Sequence, residues 1–253
     1  MNYNLNNKLI SRPTKDVYKD GDNTIKLFVE NYSKSDILNE ALIQARIEEY
    51  TDLTIPQLRE VTKIENRWAI VSEYIEGDTI EDLIEKHPEK YDEYMNWFVE
   101  IQLTVLDRKV PLLNRTKDKY KNRINQLKDI DDSIRYELLQ RLDSMPDHDK
   151  LCHGDFVPSN IVIKPDTNWA IIDWAHATQG NASADAANTY LNFIIANQED
   201  RANDYINLFA EKSGIDIHLI QKWIPIVAAV RLKKGKEEER ETLHRFVDVV
   251  DFS

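Results

Sequence analysis

A single cysteine in 253 residues has no partner within the chain, so Cys152 excludes an intramolecular disulfide and a zinc site built from clustered cysteines. That usage fits a reducing compartment. Although His153 stands beside it, Cys152 reads as a small buried strand residue and not as half of a redox or nucleophilic pair. Long apolar runs are missing too. None approaches the roughly 20 residues that a membrane-spanning helix needs, and the opening segment MNYNLNNKLI lacks the apolar core of a signal peptide. The expectation is a cytoplasmic protein with no membrane partner. Basic residues are in deficit, with 33 Lys and Arg against 45 Asp and Glu and a net charge of −12. A nucleic-acid partner is disfavoured, because that binding needs a positive surface. A cationic small molecule would be suited, although acidity also serves solubility alone. The one dense basic stretch, Lys233-Lys234-Gly235-Lys236, runs into Glu237-Glu238-Glu239-Arg240 and reads as a solvated helix start.

With 42% hydrophobic residues, the chain has apolar material for one large domain or for two lobes with a core each. Residues before Gly77 read as strands with one helix and nearly everything after it as helix, which divides the chain into 1–76 and 77–253. Strand-like segments fall at 7–11, 16–18 and 24–29, with Asp20-Gly21-Asp22-Asn23 as a hairpin turn. Ser33 to Asp36 offer capping residues for a helix in which Ile37, Leu38, Ala41, Leu42 and Ala45 recur at helical spacing. Two more strands, 58–64 and 68–74, complete five that pair in sequence order as an antiparallel meander. Asp78 and Thr79 can cap a helix that Pro88 ends. Amphipathic helices follow at 91–106, 117–127 and 132–142. Short strands at 161–163 and 169–172 are joined by the turn Pro165-Asp166-Thr167-Asn168, and helix resumes from Ser183.

The stretch most charged with chemistry is His153-Gly154-Asp155-Phe156-Val157-Pro158-Ser159-Asn160, followed by Ile171-Ile172-Asp173-Trp174. An Asp with an Asn five positions on, and a second Asp at the end of a nearby strand, suits phosphoryl transfer. The loop Asp can accept the proton of an attacking hydroxyl. The Asn oxygen can bind a hard cation without adding charge, and the second Asp can bridge metals that neutralise a triphosphate. On these residues, with Thr24-Ile25-Lys26-Leu27 and Glu73-Tyr74-Ile75-Glu76-Gly77 in matching order, the chain resembles the aminoglycoside phosphotransferase and choline kinase superfamily over nearly its whole length. More narrowly, segments 151–160, 172–191 and 223–232 are similar to a group of short bacterial members.

The resemblance implies an α+β, protein-kinase-like, two-lobe fold: a small N-lobe of antiparallel sheet plus one helix, which binds nucleotide, and a larger, mainly helical C-lobe for catalysis and the acceptor. It implies Asp155 as catalytic base, Asn160 and Asp173 as Mg²⁺ ligands, and Lys26 on the phosphates of ATP or GTP, oriented by Glu40. Ser72 and Tyr74 would meet the purine through main-chain groups alone. His153 would fix the loop, Asp185 would help hold it, and Trp174 and Trp223 would be core. The neighbouring lysines Lys15, Lys19 and Lys34 read as surface charges. Ser11-Arg12-Pro13-Thr14-Lys15 contains no glycine, so no glycine-rich lid of the protein-kinase type covers the phosphates there. Val157 and Ser159 stand where many relatives carry a histidine and a glycine, and changed loop packing is expected. The function implied is transfer of a γ-phosphate to a hydroxyl of a small molecule, with a lean toward an amine-bearing acceptor such as an aminoglycoside, an amino sugar or a choline-like alcohol. Two other readings stay open: a kinase-shaped nucleotide-binding regulator with little turnover, and a metal-dependent hydrolase using the same carboxylates.

Overall fold

The structure is a computed structural model and describes residues 3–166, 168–233 and 237–247. Strands β1 (Lys8–Ser11), β2 (Lys15–Asp20) and β3 (Asn23–Phe28) run antiparallel. Side chains alternate between faces along a strand, and β3 shows the consequence. Ile25 and Leu27 pack with Tyr18, Ala69 and Val71 on one face. On the other, Phe28 packs with Ile37 and Ala41 of helix α1 (Lys34–Tyr50), so Lys26 shares the face that α1 covers. Helix α1 starts at Ser33, whose hydroxyl accepts from Asp36 N–H.

The sheet is completed by β4 (Leu58–Ile64) and β5 (Arg67–Glu73), in the order β1-β2-β3-β5-β4. This corrects the meander expected in sequence order. The chain leaves β3 through α1 and returns at the far edge as β4. A two-residue turn, Glu65-Asn66, with φ of 48° and 68°, then sends β5 back between β4 and β3.

Next come β6 (Asp78–Thr79) and α2 (Ile80–Lys86), opened by a capping box in which Thr79 and Asp82 satisfy each other's N–H groups. The helices α3 (Tyr91–Leu106), α4 (Thr116–Asn125) and α5 (Asp132–Ser144) lead to β7 (Lys150–Cys152). Then follow β8 (Ile161–Ile163), β9 (Trp169–Ile171) and β10 (Thr178–Gly180). The chain continues through α6 (Ala182–Ile195), α7 (Glu199–Ser213), α8 (Ile217–Gln221), α9 (Ile224–Leu232) and α10 (Glu237–Val247). Of the sequence features above, Lys234 to Lys236 and Thr167 lie outside the described residues.

Two compact units result. One joins the residues up to Pro88 with Pro158–His176, and the other joins Glu89–Val157 with the residues from Ala177 onward. The first contains both the five-stranded sheet and a small sheet ordered β6-β8-β9. This division differs from a single boundary at Gly77, because β6 pairs with β8 and ties residues after Gly77 to the first unit. Gly77 itself, at φ 151°, permits that pairing: a Cβ there would lie 2.2 Å from the Ile163 carbonyl oxygen. The second unit is mainly helical. Its core includes Phe98 of α3, whose ring lies 4.9 Å from Phe156, 6.2 Å from Phe193 and 5.8 Å from Tyr205.

Candidate active site

In the first unit, the β3 lysine meets two carboxylates from distant parts of the chain. Lys26 Nζ lies 2.7 Å from Glu40 Oε1 on α1 and 2.7 Å from Asp173 Oδ1 just after β9. Burial alone would lower the Lys26 ammonium, but Asp173 and Glu40 outweigh it and hold the group above its ordinary range. The ammonium of Lys26 in turn holds the Asp173 carboxyl well below the usual carboxylate range, against burial and with help from Lys15. Asp173 adopts φ 61°, a left-handed conformation that costs a non-glycine residue free energy and recurs at functional sites.

Lys15 joins this cluster. Its Nζ is 3.7 Å from both Glu40 Oε1 and Asp173 Oδ1, and burial, followed by the like charge of Lys26, pushes its pKa down. The surface charge expected at Lys15 is therefore corrected: β2 pairs with β3 so that Lys15 sits opposite Phe28, on the flank of the Lys26 cluster. Lys19 lies 3.8 Å from the Tyr74 ring centroid, and Lys34 stays exposed at the start of α1, 5.3 Å from the Trp68 ring.

Asn160 and Asp173 are brought close by the β8–β9 pair. Ile161 stands opposite Ile171, and Ile172 N–H donates to the Asn160 carbonyl at 2.9 Å, so Asn160 enters one strand where Asp173 leaves the other. The second strand is anchored to the loop after α1 by Ile171 N–H on the Thr54 carbonyl. One amide oxygen and one carboxylate fit a magnesium ion that keeps waters and takes phosphate oxygens as its other ligands. They fit an all-protein cage poorly, and among the described residues no group of three or more His, Cys, Asp and Glu could hold a metal.

In the second unit, residues 153–156 follow β7 and are bonded along one face of α6. Asp185 Oδ1 accepts from Gly154 N–H at 2.8 Å and Asn188 Nδ2 donates to the Gly154 carbonyl at 2.9 Å. Thr189 Oγ1 donates to the Phe156 carbonyl at 2.9 Å, and Asn192 Nδ2 donates to Asp155 Oδ1 at 3.2 Å. Gly154 turns the loop at φ 76°, a value that favours glycine. Burial raises the Asp185 carboxyl, opposed by Gly154 N–H and by its other donors, Gln102 Nε2 among them at 3.2 Å. His153 is fully buried, and its Nδ1 accepts from Asp155 N–H at 3.3 Å, which makes it part of the loop's frame. Cys152 is buried beside it on β7, and burial drives its thiol pKa upward, as an inert strand residue requires.

Solved structures of aminoglycoside phosphotransferases share this fold. A thermostable variant of APH(4)-Ia, in ternary complex with ADP and hygromycin B, superposes with a TM-score of 0.71 at 12% identity, over 97% of this chain and 93% of that one. ADP-bound APH(2'')-Ib gives 0.63 at 14%, over 99% and 93%. The GDP complex of an aminoglycoside 2'-phosphotransferase of type IIIa gives 0.61 at 16%, over 95% and 90%. No curated protein matches the chain by sequence. Residues 101–216, which include the Asp155 loop and the Asp173 turn, match the model of the phosphotransferase enzyme family. The fold is thus the one these phosphotransferase structures have, and residues 101–216 carry the family's sequence pattern.

In the first unit the segment around Ser72 and Tyr74 is partly committed to the sheet. Ser72 is buried and pairs with Thr24 and Leu58, while Tyr74 N–H donates to the Asp22 carbonyl at 2.9 Å. Ile75 and Glu76 follow outside the strand. In the β1–β2 region, the Ser11 hydroxyl donates to Asp16 Oδ1 at 2.7 Å. Trp174 and Trp223 are buried, as core residues should be, and Trp174 Nε1 is satisfied by the Ile171 carbonyl. Sequence reasoning overlooked Lys15, Asn188 and Asn192. The asparagines did carry a signal, being polar residues on a helix whose other residues from 182 to 194 are largely apolar and buried.

Proposed function

We propose that the protein is a Mg²⁺-dependent phosphotransferase that moves the γ-phosphate of ATP or GTP to a hydroxyl of a small molecule, with amine-bearing acceptors favoured by the acidic chain. The observation that carries this reading is Lys26 held at 2.7 Å by both Glu40 and Asp173, residues that no packing requirement would assemble around one buried ammonium. In this reading the pair of carboxylates aims Lys26 at the phosphates. Lys15 adds a second cation in a region without a glycine-rich lid, so side chains do there what backbone N–H groups do in other kinases.

Asn160 and Asp173 would hold the magnesium ion, which when bound neutralises charge on the phosphates. Asp155 accepts the hydrogen bond of the acceptor hydroxyl and receives its proton as the hydroxyl oxygen bonds to the γ-phosphorus, while the bond from that phosphorus to the β,γ-bridging oxygen breaks and the nucleoside diphosphate leaves. Asn192 and the α6 contacts keep its carboxylate in one orientation, and orientation is the larger part of catalysis when the transition state is loose. The purine would lie against the segment from Ser72 to Glu76. Because Tyr74 N–H is engaged by Asp22, the main chain of Ile75 and Glu76 is the better placed donor and acceptor. The nucleotides bound by two neighbours, ADP and GDP, support a nucleoside triphosphate donor of either base, and such a donor is consistent with a cytoplasmic site of action.

The test is nucleotide consumption by the purified protein with Mg²⁺, run with ATP and GTP separately against hygromycin B, kanamycin, glucosamine, choline and neutral sugars. Consumption that depends on an acceptor is expected. Consumption at the same rate with water alone, whatever acceptor is added, would overturn the proposal in favour of a hydrolase.

A further inference from the structure

The contacts between α6 and the Asp155 loop depend on amide orientations that the loop alone does not enforce. A carboxamide rotated by half a turn presents its oxygen where its nitrogen stood. For Asn192 that rotation would set an oxygen lone pair against the Asp155 carboxylate, and for Asn188 against the Gly154 carbonyl. Asn188 and Asn192 are one helical turn apart, so both side chains leave α6 on the same face and both oxygens point the same way.

A single residue of α9 meets both. Arg231 Nη1 donates to Asn192 Oδ1 and, at 3.4 Å, to Asn188 Oδ1. A guanidinium has donors and no acceptor. With Arg231 on that side, both oxygens must face α9 and both Nδ2 groups must face the loop, where they meet Gly154 and Asp155. Arg231 is half-buried, and burial lowers its pKa while Asp155 and other negative groups oppose the shift.

We propose that Arg231 is a positioning residue for phosphoryl transfer: through Asn192 and Asn188 it fixes the amide orientations that hold the Asp155 carboxylate and the Gly154 turn. This rests on the reading of Asp155 as catalytic base. The donor-only character of the side chain is the essential feature, so lysine should substitute and an isosteric apolar residue should not.

The experiment compares Arg231→Lys, Arg231→Met and Asn192→Ala with the wild type by two readouts. One is amide hydrogen exchange over residues 153–156. The other is transfer from MgATP to whichever of hygromycin B, kanamycin, glucosamine or choline the wild type uses best. Arg231→Met should speed exchange and lower kcat by about tenfold to a hundredfold, the range for a lost hydrogen bond to a charged group, with KM for MgATP within about twofold. Asn192→Ala should lower kcat to a similar degree, and combining the two should add little. Arg231→Lys should restore both readouts to near wild type. Wild-type exchange and kcat in Arg231→Met would overturn the proposal, as would equal impairment of the Lys and Met variants, since shape and not donation would then matter. Should the wild type transfer to none of these acceptors, the functional reading fails and exchange alone decides the clamp. Should Arg231→Met not fold, Asn192→Ala and Arg231→Lys carry the comparison.

Discussion

Two lysines stand beside the same two carboxylates, and their environments set them apart. Lys26 is held at 2.7 Å by Glu40 and Asp173, whereas Lys15 is 3.7 Å from each and loses charge stability to burial and to Lys26. Lys15→Met removes a desolvated like charge and replaces it with an apolar side chain of similar length. Thermal stability should hold or rise, while affinity for MgATP falls about tenfold, the scale of one lost hydrogen bond to a charged group. Equilibrium binding and thermal melts check this, and unchanged affinity would remove Lys15 from the site. The Asp173 carboxyl gives a pH prediction. Lys26, aided by Lys15, depresses it below its ordinary 3.8. A depressed carboxyl contributes stability that is present above the unfolded value and is lost as pH falls toward the folded one. Metal-free and nucleotide-free protein should therefore lose melting temperature below about pH 4, and Asp173→Asn should flatten that loss. An acid profile identical in the variant would contradict the pairing. Lys26 works in the opposite sense: its raised value contributes stability below 10.5 that is lost as pH rises through the folded value.

At the scale of elements, short pieces of backbone set the site more than the long helices do. The β6–β8–β9 sheet places Asn160 beside the exit of β9, and Gly77 lets β6 approach β8. Helix α2 grows directly from β6 through the Thr79 and Asp82 capping box, with Thr79 Oγ1 accepting from Asp82 N–H at 3.0 Å. Thr79→Ala should cost about 1 kcal/mol of stability by chemical denaturation, as caps generally do. A loss below measurement error would mean that packing of Ile80 and Ile84, both buried, holds the helix by itself. These elements also show what a sequence reveals. Helix α3 was legible in its full extent because its apolar residues recur at helical spacing over 16 residues. Strands β6 and β10, of two and three residues, are too short for any period to declare itself. The order of β4 and β5 was lost for another reason: strand neighbours depend on pairing across the chain, and local pattern does not say which edge a strand takes after a helix.

For the whole molecule, the sequence identified chemistry better than it identified support. Asp155, Asn160 and Asp173 stood out because their types and spacing suit a hydroxyl, a cation and a triphosphate. Lys15 did not, since a lysine at the start of a strand looks the same whether it meets water or Glu40. Asn188, Asn192 and Arg231 meet from two helices, α6 and α9, with Asn192 and Arg231 39 positions apart in sequence, and no local motif marks such a set. In the proposed reaction, groups on the five-stranded sheet and on β8–β9 would hold the nucleotide and metal, and the base would stand on the loop between β7 and the residues that α6 binds. The role proposed for Asp155 is to take the proton of an acceptor hydroxyl. The most direct test is phosphorus NMR of γ-phosphoryl transfer to the best acceptor, with wild type and Asp155→Asn compared at equal nucleotide occupancy. The wild type should form a phosphate ester, and the variant should form it at a rate lower by about 10²–10⁴-fold with MgATP affinity nearly unchanged. Ester formation at the wild-type rate by Asp155→Asn would contradict it.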